Sequence, residues 1–148
     1  MEHKNVWEKY DEEQLKAVNA LSDAYRTFLD KGKTERECID QIVNRIEEEG
    51  YVELESLIKE NKTLKAGDKV YSVCMNKSIV MYQIGKHSMV EGLNILGAHI
   101  DSPRLDVKQN PLYEDGGIAY LDTHYYGGVK KYQWVTLPLA LHGVIVKK

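Results

Sequence analysis

The chain has 148 residues, with 20 Lys and Arg against 23 Asp and Glu and a formal charge of −3. That length predicts one ordinary domain, or part of one. The near-balanced charge gives no overall attraction to nucleic acid or to an anionic membrane, so neither is expected as a partner.

Two further features bear on class. Cys38 and Cys74 stand far apart and outside any Cys-x-x-Cys pattern. This argues against a thiolate zinc site and a disulfide framework, and points to a reducing cytoplasm. Met1-Glu2-His3-Lys4-Asn5 is charged where a signal peptide carries an apolar core, and no apolar run approaches the roughly 20 residues that span a bilayer. The chain is therefore expected to be soluble and intracellular.

From Trp7 to Leu29, Val18, Leu21, Tyr25 and Phe28 recur at steps of three and four, which predicts a helix with one apolar face stopped by Gly32. Thr34 and Glu37 form a capping-box pattern ahead of a second stripe, Ile39, Ile42, Val43 and Ile46, that ends at Gly50. Lys69–Met75 and Ser78–Ile84 are β-rich runs split by Asn76-Lys77, a predicted hairpin. Leu93-Asn94-Ile95-Leu96-Gly97-Ala98 is a nearly continuous apolar run, expected as a central strand covered on both faces. Polar and turn-forming residues follow from Asp101 to Gly117, then a strand-like run from Ile118 to Tyr126, a break at Gly127-Gly128, and a β-rich segment from Gln133 to Val146. A chain stopping two lysines after that segment looks cut, although an edge strand ends in the same way.

The chemistry-bearing pattern is His99-Ile100-Asp101-Ser102-Pro103, at the end of the expected central strand. In an extended chain residues two apart point to one side, so His99 and Asp101 share a face while Ile100 turns to the core. Ligands bind at the ends of such strands in open α/β sheets. A neutral imidazole there can give a nitrogen to a metal while a nearby carboxylate fixes its tautomer and raises its basicity.

The stretch from Gly97 through His99-Ile100-Asp101-Ser102-Pro103 to Asn110-Pro111 resembles the signature of the M18 metallopeptidases, in which His-x-Asp-Ser-Pro precedes a basic and aliphatic strand and an Asn-Pro. Tyr126-Gly127-Gly128 and the segment around Trp134 resemble the strands that follow it. The resemblance covers roughly the second half of the chain. It implies an α/β fold: part of a metallopeptidase mixed-sheet core with two N-terminal helices, truncated, with residues 1–148 as the N-terminal portion of the catalytic domain and the inserted oligomerisation domain and C-terminal half absent.

The resemblance also implies a zinc aminopeptidase that releases N-terminal residues, often acidic, from peptide substrates, with two zinc ions per complete active site. His99 matches the histidine that binds one zinc, and Asp101 matches the aspartate that orients it and assists catalysis. The bridging aspartate, general base and remaining ligands lie later in such enzymes. Asp106, Glu114, Asp115, Asp122, His124 and His142 are too scattered to replace them, so these 148 residues alone are expected to be inactive.

Other residues invite functional readings. His124, beside Tyr125 and Tyr126, suits a substrate pocket but is expected as a packed strand residue, and His142 as a core or edge histidine. His3 and His87 are expected to be exposed. Lys130-Lys131 suits an acidic substrate side chain and a solvated turn equally. Asp115-Gly116-Gly117 is expected as a flexible turn. The rival to the enzymatic reading is a non-catalytic oligomerisation or binding module that retains the His-x-Asp motif. Unpaired strand edges, together with the family's habit of assembly, predict a homo-oligomer.

Overall fold

The computed structural model describes residues 5–148, so His3 lies outside the described residues. The fold is mixed α/β and divides into two compact units, one ending at Ile95 and the other starting at Leu96.

In the first unit, helix α1 runs over Glu12–Lys31 and α2 over Glu35–Glu48. The first helix starts later than its apolar periodicity suggests because Asp11 caps it: Gln14 N–H donates to Asp11 at 2.8 Å and the Gln14 side chain accepts from Asp11 N–H at 3.0 Å. Trp7 instead sits in a preceding single 3-10 turn, edge-on to Tyr10. Gly32 does stop α1, though not by adopting a left-handed conformation. A Cβ there would lie 2.9 Å from Cys38 Sγ and 3.1 Å from the Phe28 carbonyl oxygen, so glycine lets the start of α2 approach closely.

Thr34 and Glu37 form the expected capping box. The far end of α2 closes in a Schellman motif: Tyr51 N–H reaches Ile46 O, Gly50 N–H reaches Glu47 O, and Gly50 takes φ 85°.

Strand β1 (Val52–Glu53) and helix α3 (Leu54–Lys59) follow; both were invisible to periodicity because each is too short to show one. The expected hairpin is present as β2 (Lys69–Cys74) and β3 (Ser78–Gln83), with β1 parallel to β2 and β2 antiparallel to β3, a mixed sheet. Met75 belongs to the turn, not the strand: Met75 and Asn76 take φ of 52° and 53°, and Asn76 donates to Asp40 of α2. The buried core is Cys38, Ile39 and Ile46 of α2 with Val70 and Tyr71 of β2. Burial pushes the Cys38 thiol pKa up, helped by Glu35 and Glu37, and neither cysteine is in a disulfide.

Three expectations fail between Leu93 and Val146. Leu93–Ala98 is not a strand: among the described residues none pairs with it, and Ile95 and Leu96 are 82 % and 100 % exposed. An apolar run reports readiness to be covered; the hydrogen-bonding partner that makes a strand is non-local. The polar stretch after Asp101 is instead the long strand β4, Arg104–Asp115. It pairs antiparallel with β5, Ile118–Tyr126, which matches expectation, as does the break at Gly127. The segment from Gln133 is one helical turn, α4 (Lys131–Trp134), and then irregular chain, where Pro138 removes a backbone donor.

The β4–β5 turn is Asp115-Gly116-Gly117-Ile118, with φ of 61° and 80° at its glycines, the backbone a tight hairpin needs. Further along, Lys108, Gln109, Asn110 and Pro111 stand opposite the single residue Asp122 in a bulge. Proline, which cannot donate to the ladder, is tolerated there. Lys108 Nζ spans the irregularity to Asp122 at 2.9 Å.

Candidate active-site motif

His99 and Asp101 are brought together as their spacing predicts, although on irregular chain and not at a strand end. His99 Nδ1 lies 3.0 Å from the Asp101 carbonyl oxygen and 3.3 Å from Asp101 Oδ1. Both partners only accept, so in the neutral ring the proton belongs on Nδ1 and the lone pair is left on Nε2. The His99 side chain is 85 % exposed, leaving the ring accessible, while Ile100 is half-buried and not in a core.

Asp101 is held from its other side by Tyr126, whose hydroxyl donates to Oδ2 at 2.9 Å. That hydrogen bond leads the effects that hold the Asp101 carboxyl below its usual range; the backbone amide of Asp101 and His99 add to it and partial desolvation opposes it. An ionised carboxylate is acceptor-only, as the His99 assignment needs.

The bulge in β4 is what brings Tyr126 here. Counted outward from the Gly116-Gly117 turn without interruption, Tyr126 would stand opposite Val107; with the bulge it pairs with Arg104. The Arg104 guanidinium lies 4.4 Å from the Tyr126 ring centroid and also donates to Asp106 Oδ1 at 2.8 Å. No sequence pattern announces Tyr126 as part of this cluster, because its position depends on a register irregularity that alternation cannot count. The Asn-Pro inside the strand was the available sign of that irregularity.

The other candidates lie apart from this pair. His124 is on β5 as expected but half-exposed, with Nε2 3.8 Å from Asp106 Oδ2. His142 is on exposed irregular chain, which corrects its placement in a strand. His87 is exposed and lies 3.5 Å from Glu91. Lys131 rests over the Tyr125 ring, 4.0 Å from its centroid.

The family model described as aminopeptidase I zinc metalloprotease (M18) matches residues 28–148. The chain belongs to the M18 family. It is 58 % identical to a probable M18 family aminopeptidase 1 of Clostridium acetobutylicum, over 99 % of this chain and 32 % of that protein. It is 43 % identical to one of Thermotoga maritima, over 99 % and 31 %.

Among solved structures, aminopeptidase I from Clostridium acetobutylicum superposes with a TM-score of 0.82 at 57 % identity, over all of this chain and 32 % of that one. Aminopeptidase I from Borrelia burgdorferi B31 gives 0.83 at 36 % identity, over 91 % and 32 %. The chain thus spans about a third of the length of the M18 relatives it matches.

A zinc ion takes imidazole nitrogens and carboxylate oxygens, usually four ligands in all. His99, with Nδ1 engaged and the Nε2 lone pair left, fits as one donor. Among the described residues no three His, Cys, Asp or Glu side chains gather to complete a set. Nor is any helix among them long and apolar enough to cross a membrane.

Proposed function

We propose that this chain carries the His-x-Asp portion of an M18 zinc aminopeptidase that removes N-terminal residues, acidic ones included, from peptides. The observation that supports it most directly is the His99–Asp101 pair: a carboxylate against Nδ1 and a lone pair on Nε2, the arrangement of a histidine prepared for a metal. In this reading His99 holds one of two zinc ions and Asp101 orients His99. Zinc, when bound, acts as a Lewis acid and activates water for peptide hydrolysis. Asp101 keeps the proton on Nδ1, holds the ring against rotation and, as an anion, strengthens Nε2 as a donor.

The acidic preference is referred to Lys130 and Lys131, of which Lys131 already engages Tyr125. Self-association into a homo-oligomer in the cytoplasm accompanies the reading, supported by exposed apolar side chains such as Leu112, Leu121 and Leu141.

The test is a chimera in which these 148 residues replace the matching third of the Clostridium acetobutylicum relative, assayed for zinc content and for release of N-terminal residues. An active, zinc-loaded chimera is expected. His99→Ala should abolish its activity and lower its zinc content, and Asp101→Ala should weaken zinc binding by roughly 10- to 100-fold, the usual cost of losing a ligand's supporting carboxylate. Full activity in the His99→Ala chimera overturns the assignment. A folded but zinc-free, inactive chimera favours the binding-module reading.

A further inference from the structure

Asp101 divides its two carboxylate oxygens between two partners: Oδ1 faces His99 Nδ1 at 3.3 Å and Oδ2 accepts from the Tyr126 hydroxyl at 2.9 Å. A free carboxylate can turn either oxygen toward the ring or away from it. A hydrogen bond to one oxygen removes that freedom and leaves the other aimed.

Tyr126 is itself held. Its ring lies under the Arg104 guanidinium, with which it is paired across the β-ladder. The next residue, Gly127 at φ 72°, lies beside Pro103, where a Cβ would be in van der Waals contact at 3.4 Å from Pro103 Cα and Cγ. The end of the hairpin therefore packs beside the segment that carries the pair, two residues after Asp101.

We propose that Tyr126 is a positioning residue of the M18 motif: through the Asp101 carboxylate it sets the His99 ring in the Nδ1–H tautomer, with Nε2 presented for zinc. This rests on the reading of Asp101 as the group that orients His99. Tyr126 touches neither metal nor substrate in this role; it acts on a ligand at one remove.

The prediction is read from the imidazole nitrogens of His99 in the ¹⁵N-labelled chain without metal, at a pH where the ring is neutral. The two tautomers give distinct long-range ¹H–¹⁵N patterns. The Nδ1–H form is expected to dominate in the unaltered chain. Tyr126→Phe keeps the ring under Arg104 and removes only the hydroxyl, and should lower the ratio of Nδ1–H to Nε2–H roughly three- to tenfold, the range one hydrogen bond commands. Asp101→Ala should lower it at least as far. The double variant should match Asp101→Ala alone, since Tyr126 acts only through Asp101.

An unchanged ratio in Tyr126→Phe beside a lowered one in Asp101→Ala overturns the role of Tyr126 and leaves that of Asp101. If neither variant changes it, the Asp101 carbonyl at 3.0 Å fixes the ring unaided and both readings fall. If Tyr126→Phe alters the amide spectrum of β4 and β5, the hydroxyl supports the fold, and the positioning role is likewise overturned.

Discussion

The two units of the chain differ in what holds them together. The one ending at Ile95 has a buried core, in which α2 sets Cys38, Ile39 and Ile46 against Val70 and Tyr71 of β2. In the one starting at Leu96, none of the described residues is buried, and order comes from a β-ladder, stacked rings and ion pairs. The His99–Asp101 pair lies in the second. The His99 ring is thus met by a local hydrogen-bonded chain, Tyr126 to Asp101 to His99, in a unit with no buried residue among those described. The stability of the first unit should accordingly answer to volume, and the geometry of the second to single polar atoms.

The sharpest way to break that contrast is at Ile39, a fully buried side chain of the first unit. Ile39→Ala should cost about 2–5 kcal/mol from lost transfer energy and the cavity left behind. Urea denaturation followed by the helical circular-dichroism signal measures it. A cost under about 1 kcal/mol would mean that this core collapses freely on truncation and is no better packed than the second unit.

The next effect concerns a polar link made by a core side chain. The Tyr71 hydroxyl donates to Glu47 at 2.6 Å, and that bond, followed by desolvation, raises the Tyr71 pKa from 10.0 to about 12. Tyr71→Phe should cost about 1.5 kcal/mol, the low end for a hydrogen bond to a charged group because Glu47 is exposed. The pH dependence has a definite sign. A folded pKa above the unfolded one gives stability that is fully present below about pH 10 and is lost as the pH rises through about 12. Denaturation between pH 9 and 12 should show this alkaline loss in the unaltered chain and a smaller one in Tyr71→Phe. Equal losses in both would place the sensitivity elsewhere.

Much of the first unit was legible in the sequence because its signals are local. The stripe Ile39, Ile42, Val43 and Ile46, the Thr34–Glu37 box and the hairpin at Asn76 each depend on residues a few positions apart. In the second unit the sequence showed that His99 and Asp101 would meet and misplaced the backbone under them. His99 and Asp101 meet as their spacing demands, yet the run before them is no strand, and β4 looks like loop because Asn110-Pro111 interrupts it. Strand pairing and bulges depend on partners far along the chain, and Tyr126 reaches Asp101 only through one of them.

Capping gives a smaller effect that again isolates local order. Thr34→Ala removes the oxygen that accepts from Glu37 N–H and leaves the Glu37 carboxylate contacts with Lys33 and Thr34 N–H in place. It should cost about 1 kcal/mol in the same denaturation. A cost near that of Ile39→Ala would show that the helix start, and not the core, limits the stability of the first unit.

The smallest effect belongs where the sequence promised the most. Leu96 sits in the apolar run expected as the central strand and is fully exposed. Exposed apolar side chains add nothing to folding, so Leu96→Ser should change stability by less than about 0.5 kcal/mol, the usual range for surface substitutions. Because Ile95 is exposed beside it, the same change should reduce self-association, measured by light scattering across a concentration series. A stability loss of about 1 kcal/mol or more would require Leu96 to be covered in the isolated chain. The run Leu93–Ala98 would then be packed as its composition suggests, and the contrast between a cored unit and an uncored one would have to be given up.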